Sequence, residues 1–201
     1  NGEIISNNEY TAGVVVQNTG TTDSMGTLET VISSGIVSGT KYASGIIGYT
    51  YLNGKANNLG NSATVLGYKY VAGISSNYVN AIEFKNIYNT GKLMIVDDGT
   101  SEQYIAGLIG TSFSSTMTMS NVYNAGYIYV ISNLDTATIK VAPIYVNRDN
   151  GNLTITDAVS MSDAIISEGT TTISVTAEND IGGTITHTRM TTKTIADMVK
   201  V

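Results

Sequence analysis

One stretch of this chain occurs twice almost unchanged, and it decides the fold. Phe84-Lys-Asn-Ile-Tyr-Asn-Thr-Gly91 returns 35 residues later as Met119-Ser-Asn-Val-Tyr-Asn-Ala-Gly126. A shorter element precedes each copy, first as Tyr70-Val-Ala-Gly-Ile74 and then as Tyr104-Ile-Ala-Gly-Leu108. A nearly fixed period of this size is typical of repeat architectures, in which each unit packs mainly against its neighbours.

Weaker copies extend both elements over five repeats. The first element begins at Tyr10, Tyr42, Tyr70, Tyr104 and Lys140. The second element, counted from a position zero, begins at Thr30, Asn58, Asn86, Asn121 and Asp157. The distance from the Gly or Pro of the first element to position zero is 17, 13, 13, 14 and 14 residues. An internal spacing that is nearly preserved five times indicates one structural unit per repeat.

Equivalent positions of the second element keep their residue class. Position +3 is small and polar in every copy: Ser33, Asn61, Asn89, Asn124 and Ser160. Position +7 is apolar in every copy: Val37, Val65, Leu93, Ile128 and Ala164. Because alternate residues of a strand share a face, we expect +7 to point inward and +3 to form a hydrogen-bonded ladder at a turn. The tyrosines that begin the first element are expected to stack as a structural column.

Equivalent repeat positions thus carry the same residue class on one face of the strands. This pattern favours an all-β, right-handed parallel β-helix (β-solenoid) of about five repeats with a short C-terminal helix. An antiparallel sandwich would not explain the recurrence, and the Thr, Gly and Asn content opposes helical repeats. The predicted repeats are 10–41, 42–69, 70–103, 104–138 and 139–169, followed by closing strands to residue 190. Residues 191–201 are predicted to form a capping helix or linker, with helical spacing after Thr194. Pro143 replaces Gly and predicts a strand end or a bulge.

Composition and charge exclude several classes of protein. Only 13% of the 201 residues are charged and 42% are hydrophobic, which is the opposite of a disordered chain. The net charge of −6 argues against nucleic acids and anionic membrane surfaces as partners. The absence of Cys excludes disulfides and thiolate chemistry. The chain begins with Asn1 and shows no signal-like segment, so we expect a piece of a longer or processed protein.

The two elements resemble the GLUG repeat of large bacterial surface and secreted proteins. The residues that carry the resemblance are Ala106-Gly-Leu-Ile-Gly110 followed by Asn121-Val-Tyr-Asn-Ala-Gly126, and less fully Ser44-Gly-Ile-Ile-Gly48 and Asn86-Ile-Tyr-Asn-Thr-Gly91. The resemblance covers roughly residues 10–166. It implies a β-helical stalk or binding region of an adhesin, of an autotransporter-like passenger, or of the non-catalytic part of an IgA-cleaving peptidase. It carries over no catalytic residue.

A search of the sequence for catalytic or metal-binding residues yields no candidate. His187 is the only imidazole and lies among alternating Thr and Ile, which favours a surface position over a catalytic base. Asp97-Asp-Gly99 and Arg148-Asp-Asn-Gly151 read as turns rather than as carboxylate pairs or calcium ligands. We therefore predict no catalytic, cofactor-binding or metal-binding residue and no cofactor.

Position +8 is the one sequence clue to a binding surface. If +7 points inward, +8 points outward, yet four of the five residues in that column are apolar or aromatic. The column is Ser38, Leu66, Met94, Tyr129 and Ile165, with Tyr127 and Lys92 beside it. An apolar stripe on an outer face indicates a partner site or a surface covered by another part of the chain. The C-terminal Ile195, Met198 and Val199 are the expected cover.

The sequence predicts a non-enzymatic β-helical scaffold or binding region of a bacterial cell-surface or secreted adhesin. The alternatives are a polysaccharide-active β-helix enzyme and the non-catalytic region of a secreted IgA-peptidase-like protein. The expected partner is a host-surface protein or glycan, or another region of the same long chain. We expect an extracellular or cell-surface location, with no nucleic-acid partner and no membrane insertion of this fragment.

Overall fold

The chain forms a parallel β-solenoid whose strands follow the sequence repeats. The computed structural model describes residues 2–18, 25–50, 53–79, 82–99, 102–113, 116–132, 139–146, 152–161, 165–169, 174–175, 185–188 and 191–193. Over these residues the structure is all-β and contains no helix. The all-β solenoid predicted from the columns is confirmed.

Each of the first four turns contains four strands. Strand β1 (Gly2–Ile5) precedes turn one, which consists of β2 (Tyr10–Ala12), β3 (Val15–Asn18), β4 (Met25–Ser33) and β5 (Gly35–Ser38). Turn two consists of β6 (Tyr42–Ser44), β7 (Ile47–Thr50), β8 (Asn53–Asn61) and β9 (Thr64–Gly67). Turn three consists of β10 (Tyr70–Ala72), β11 (Tyr78–Val79), β12 (Ile82–Asn89) and β13 (Leu93–Val96). Turn four consists of β14 (Gln103–Ala106), β15 (Ser112–Phe113), β16 (Thr116–Asn124) and β17 (Ile128–Ser132).

The stacking continues beyond turn four. The fifth repeat contributes β18 (Ile139–Ala142), β19 (Asn152–Met161) and β20 (Ile165–Gly169). Three short strands follow: β21 (Ser174–Val175), β22 (Ile185–Thr188) and β23 (Thr191–Lys193). The segment Thr191–Lys193, predicted as the start of the C-terminal helix or linker, is thus a strand paired with β19. The predicted helix itself, after Thr194, lies outside the described residues.

The strands assemble into four sheets, each receiving one strand per turn. Sheet A has the order β1-β5-β9-β13-β17-β20, and sheet B has the order β2-β6-β10-β14-β18-β21. Sheet C has the order β15-β11-β7-β3, and sheet D has the order β22-β19-β16-β12-β8-β4, with β23 also on β19. Every paired register among the described strands is parallel, so a given repeat position lies above its equivalent in the next turn.

A left-handed residue marks the corner of every long strand in sheet D. Thr30, Asn58, Asn86, Asn121 and Asp157 have φ between +53° and +57°, and all five are position zero of the sequence repeat. Asn and Asp tolerate this conformation better than most residues because their short side chains hydrogen-bond locally. The corner confirms the alignment of the second element, including its weak copies, and explains why the position favours Asn.

The inward columns fill the core as the alternation predicts. Val37, Val65, Leu93 and Ile128 at +7 are buried, and Leu59, Ile87 and Val122 at +1 are buried as well. Leu108 belongs to a core cluster beneath the sheet D corner, whereas Ile128 belongs to a second cluster beneath sheets A and B. The stacked tyrosines belong to a third cluster, and burial of these three apolar clusters supplies the main driving force for stacking the turns.

The +3 column forms the predicted hydrogen-bonded ladder. Asn61 Nδ2 donates to Asn89 Oδ1 at 2.8 Å, and Asn89 Nδ2 donates to Asn124 Oδ1 at 2.8 Å. All three amides are fully buried. Each also closes its own turn; for example, the Gly91 N–H donates to Asn89 Oδ1. The ladder therefore satisfies polar groups that burial would otherwise leave unpaired.

The tyrosines of the first element stack as predicted. Ring centroids lie 4.7 Å apart for Tyr10–Tyr42, 4.5 Å for Tyr42–Tyr70 and 5.4 Å for Tyr70–Tyr104. Lys140 occupies the register position of Tyr104 in the fifth repeat and places its Nζ 5.6 Å from that ring centroid. The column is a structural element, with a cation in place of the fifth ring.

The glycine after each of these strands is required by close approach of the next turn. A Cβ at Gly107 would lie 1.9 Å from the Pro143 carbonyl oxygen and 2.5 Å from Asn124 Cγ. The Gly107 N–H donates to the Ala142 carbonyl at 3.1 Å. Pro143 follows the last residue of β18, so the predicted strand end is confirmed. Because proline has no N–H, Pro143 cannot donate a backbone hydrogen bond to a following turn as Gly107 does.

Gly107→Ala is expected to lower the free energy of unfolding by about 1–3 kcal/mol, because the new methyl group overlaps the backbone of the next turn. Urea denaturation followed by circular dichroism measures the change. Gly2→Ala is the matched control, since a Cβ at Gly2 would meet nothing within 4 Å. Equal losses in the two variants would contradict the close approach.

Candidate functional site

The structure brings together most of the predicted outer stripe on sheet A. Leu66, Met94 and Tyr129 stand in register on β9, β13 and β17, and all three side chains are half-buried. Lys92 Nζ lies 4.2 Å from the Tyr129 ring centroid, within the range of a cation–π interaction. Tyr127 is 38% exposed, with its ring centroid 6.1 Å from that of Tyr129. We call these five residues the sheet A stripe.

The predicted place of Ile165 in this stripe is wrong by one residue. Strand β20 pairs Ile165, and not the predicted Ala164, with the inward Ile128, and Ile166 is the residue in register with Tyr129. The fifth repeat has one more residue between Asp157 and this strand than the other copies have, and a one-residue slip exchanges the two faces of a strand. The expected cover by Ile195, Met198 and Val199 lies outside the described residues.

A second surface, which the sequence reasoning missed, lies at the corner of sheet D. It is a groove of about 400 Å³ that runs across four turns. Its lining residues are Thr30, Ile32, Asn58, Asn86, Tyr88, Asn121 and Tyr123. They belong to two columns of the repeat, position zero and position +2, and we call the site the corner groove.

One wall of the corner groove is a second ladder of amides. Asn86 Nδ2 donates to Asn58 Oδ1 at 2.8 Å, and Asn121 Nδ2 donates to Asn86 Oδ1 at 2.7 Å. These bonds lie at the surface, in contrast to those of the +3 ladder. The left-handed backbone at each position zero directs the column away from the core. The wall therefore presents a polar group at every turn.

The opposite wall is apolar and aromatic. The Tyr88 and Tyr123 rings are stacked with centroids 5.2 Å apart and an interplanar angle of 7°. A Cβ at Gly60 would lie 2.2 Å from Tyr88 Cζ, so the Tyr88 ring occupies the space that a side chain in turn two would need. Ile32 ends this wall in turn one and is 68% exposed. The absence of a side chain at Gly60 thus lets the wall run without a break.

The seven described residues that line the corner groove are uncharged, and Asp157 follows Asn121 as the next member of the position-zero column. Desolvation by burial, followed by the proximity of Tyr88, raises the pKa of the Tyr123 phenol. The hydroxyl is protonated at neutral pH, as a phenol ordinarily is, so Tyr123 can donate a hydrogen bond.

A signal for the corner groove is present in the sequence. Position zero is Asn in three consecutive copies, although a buried strand would disfavour Asn. Position +2 contains Ile32, Tyr88 and Tyr123, which alternation already places outward. The +2 column also contains Gly60 and Val159, so residue class alone does not mark it as one wall of a groove.

The other predicted features give no further site. Asp97 Oδ1 accepts a hydrogen bond from the Gly99 N–H at 2.8 Å, and Gly99 has φ +79°, as expected of a tight turn. Arg148–Gly151 lies outside the described residues. His187 stands in β22, in register with Ile155. Within the described ranges, no group of three or more His, Asp or Glu side chains could hold a metal ion.

Comparison with protein-family models, with curated proteins and with solved structures finds no match to this chain. Over the residues that the structure describes, no helix is long and apolar enough to cross a membrane. The corner groove and the sheet A stripe are therefore interpreted from their own geometry.

Proposed function

We propose that this chain is a non-enzymatic scaffold or binding region of a bacterial cell-surface or secreted adhesin. The observation that carries the proposal is the sheet A stripe, a continuous row of apolar and aromatic side chains on an outer face. The GLUG-like motifs support an extracellular or cell-surface location, and the proposed partner is a host-surface protein or glycan.

The fixed spacing of side chains on sheet A supports a binding role. Leu66, Met94 and Tyr129 stand on three consecutive strands, so the backbone hydrogen bonds of sheet A fix their spacing. Tyrosine and methionine are enriched at protein recognition surfaces, and tyrosine is among the residues that contribute most of the binding energy. A preorganised surface also binds at a smaller cost in conformational entropy.

The double variant Met94→Ser with Tyr129→Ser tests this proposal. Both side chains are half-buried on the outer face, so the variant is expected to keep its fold while adhesion to host cells falls by about tenfold or more. Adhesion of fluorescent beads coated with the protein and thermal melting measure the two properties. Val16→Ser is the control, because Val16 is 47% exposed and lies on β3 of sheet C rather than on sheet A.

Two outcomes would contradict the proposal. Lost stability with unchanged adhesion would make the stripe a surface that another part of the chain covers. Release of reducing ends from a soluble polysaccharide by the wild-type protein would favour the alternative, a polysaccharide-active β-helix enzyme.

A further inference from the structure

The corner groove has one polar wall and one apolar wall, and a single class of ligand can contact both. Its polar wall is the ladder of Asn58, Asn86 and Asn121, and its apolar wall contains the stacked Tyr88 and Tyr123 rings. A ligand that fills it must offer hydrogen-bonding groups on one side and an apolar face on the other.

The amide wall keeps hydrogen-bonding capacity for a ligand. A primary amide has two N–H donors and a carbonyl oxygen with two lone pairs. The ladder engages one N–H of Asn86 and one lone pair of its oxygen, and Asn58 and Asn121 each use only one of these groups in it. Turns two, three and four of the groove therefore each present both a donor and an acceptor, which a hydroxyl group can use.

The neutrality of the groove selects among ligands. The absence of charge among its described lining residues gives a carboxylate or phosphate ligand nothing to pair with, and the chain carries a net charge of −6. An extended peptide could not add a strand here, because β8, β12 and β16 are each paired on both sides within sheet D. Uncharged sugars remain, since they carry hydroxyl groups around apolar C–H faces.

The repeat also fits an extended polymer. Stacked strands are about 4.8 Å apart, so the three steps from Thr30 to Asn121 span about 14 Å along the solenoid axis. A chain lying in the groove meets the same pair of walls at each turn.

We propose that the corner groove binds a neutral polysaccharide along the solenoid axis, with its hydroxyl groups on the Asn ladder and its C–H faces against Tyr88 and Tyr123. The site is separate from the sheet A stripe and goes beyond the function proposed for it. Either site can therefore fail without the other.

Affinity electrophoresis in native gels tests the site with the whole 201-residue chain. The gels contain galactomannan, dextran or hydroxyethylcellulose, three soluble neutral polysaccharides. We expect at least one of them to retard the wild-type protein, and Tyr123→Ser to weaken that retardation about fivefold to tenfold. Tyr68→Ser is the matched control, because Tyr68 and Tyr123 are 37% and 36% exposed.

A second variant guards against loss of folding. Asn86→Gly removes the central amide of the wall while glycine readily adopts the φ of +53° at that corner. It is expected to weaken retardation to a similar extent and to keep a cooperative melting transition. Met94→Ser with Tyr129→Ser is expected to migrate as the wild type does, which separates this site from the sheet A stripe.

Several results would overturn the proposal. One is the absence of retardation of the wild type in all three gels, and another is retardation only in a fourth gel that contains the anionic polygalacturonate. A third is an equal loss of retardation in Tyr123→Ser and Tyr68→Ser. Unchanged retardation of both groove variants would likewise place any polysaccharide site elsewhere.

Discussion

Asn89→Ala is expected to lower the free energy of unfolding by about 3–4 kcal/mol, because it removes the centre of the buried +3 ladder. Asn89 accepts hydrogen bonds from Asn61 Nδ2 and from the Gly91 N–H, and it donates to Asn124 Oδ1 and to the Gly91 carbonyl. Truncation deprives these buried groups of their partner, and each unpaired group costs about 1–3 kcal/mol. Urea denaturation monitored by circular dichroism measures the loss.

Two variants serve as controls for this result. Asn89→Ser is expected to lose less stability, because Ser33 occupies the same column in turn one. Asn86→Gly is expected to cost under about 1 kcal/mol, since its ladder bonds are exposed and the left-handed backbone suits glycine. Similar losses of stability for Asn89→Ala and Asn86→Gly would show that burial does not determine how much each ladder contributes to the free energy of unfolding.

Leu108→Ala and Ile128→Ala are each expected to cost about 2–5 kcal/mol, because both side chains are fully buried in well-packed columns. Each truncation removes apolar contacts and leaves a cavity that the neighbouring turns can close only in part. The two residues belong to different core clusters, so the pair tests the inward faces of two parts of the solenoid. The same denaturation measurement applies.

The surface control for these core variants is Lys85→Ala. Lys85 is exposed on sheet D, and its truncation is expected to cost under about 0.5 kcal/mol. Lys92 is a poorer control than its outward position suggests, because its Nζ lies over the Tyr129 ring. Equal melting shifts for Leu108→Ala and Lys85→Ala would contradict the assignment of inward and outward faces.

The sequence determined the parallel β-solenoid and its inward columns, because stacking places equivalent repeat positions next to one another. In such a fold, residues that are one repeat apart in the sequence are neighbours in space. The Tyr10, Tyr42, Tyr70 and Tyr104 column and the Asn61, Asn89 and Asn124 ladder could be predicted for that reason. The apolar or aromatic character of Leu66, Met94 and Tyr129 likewise marked the sheet A stripe.

Only the tertiary structure decided where the chain turns within each repeat and which outward columns meet. The extra residue before β20 changed the register of Ile165, since a single residue exchanges the two faces of a strand. The left-handed corner at Asn58, Asn86 and Asn121 brought positions zero and +2 together as the walls of one groove. That meeting depends on the backbone bend and on the Tyr88 ring lying over Gly60, and neither follows from residue class alone.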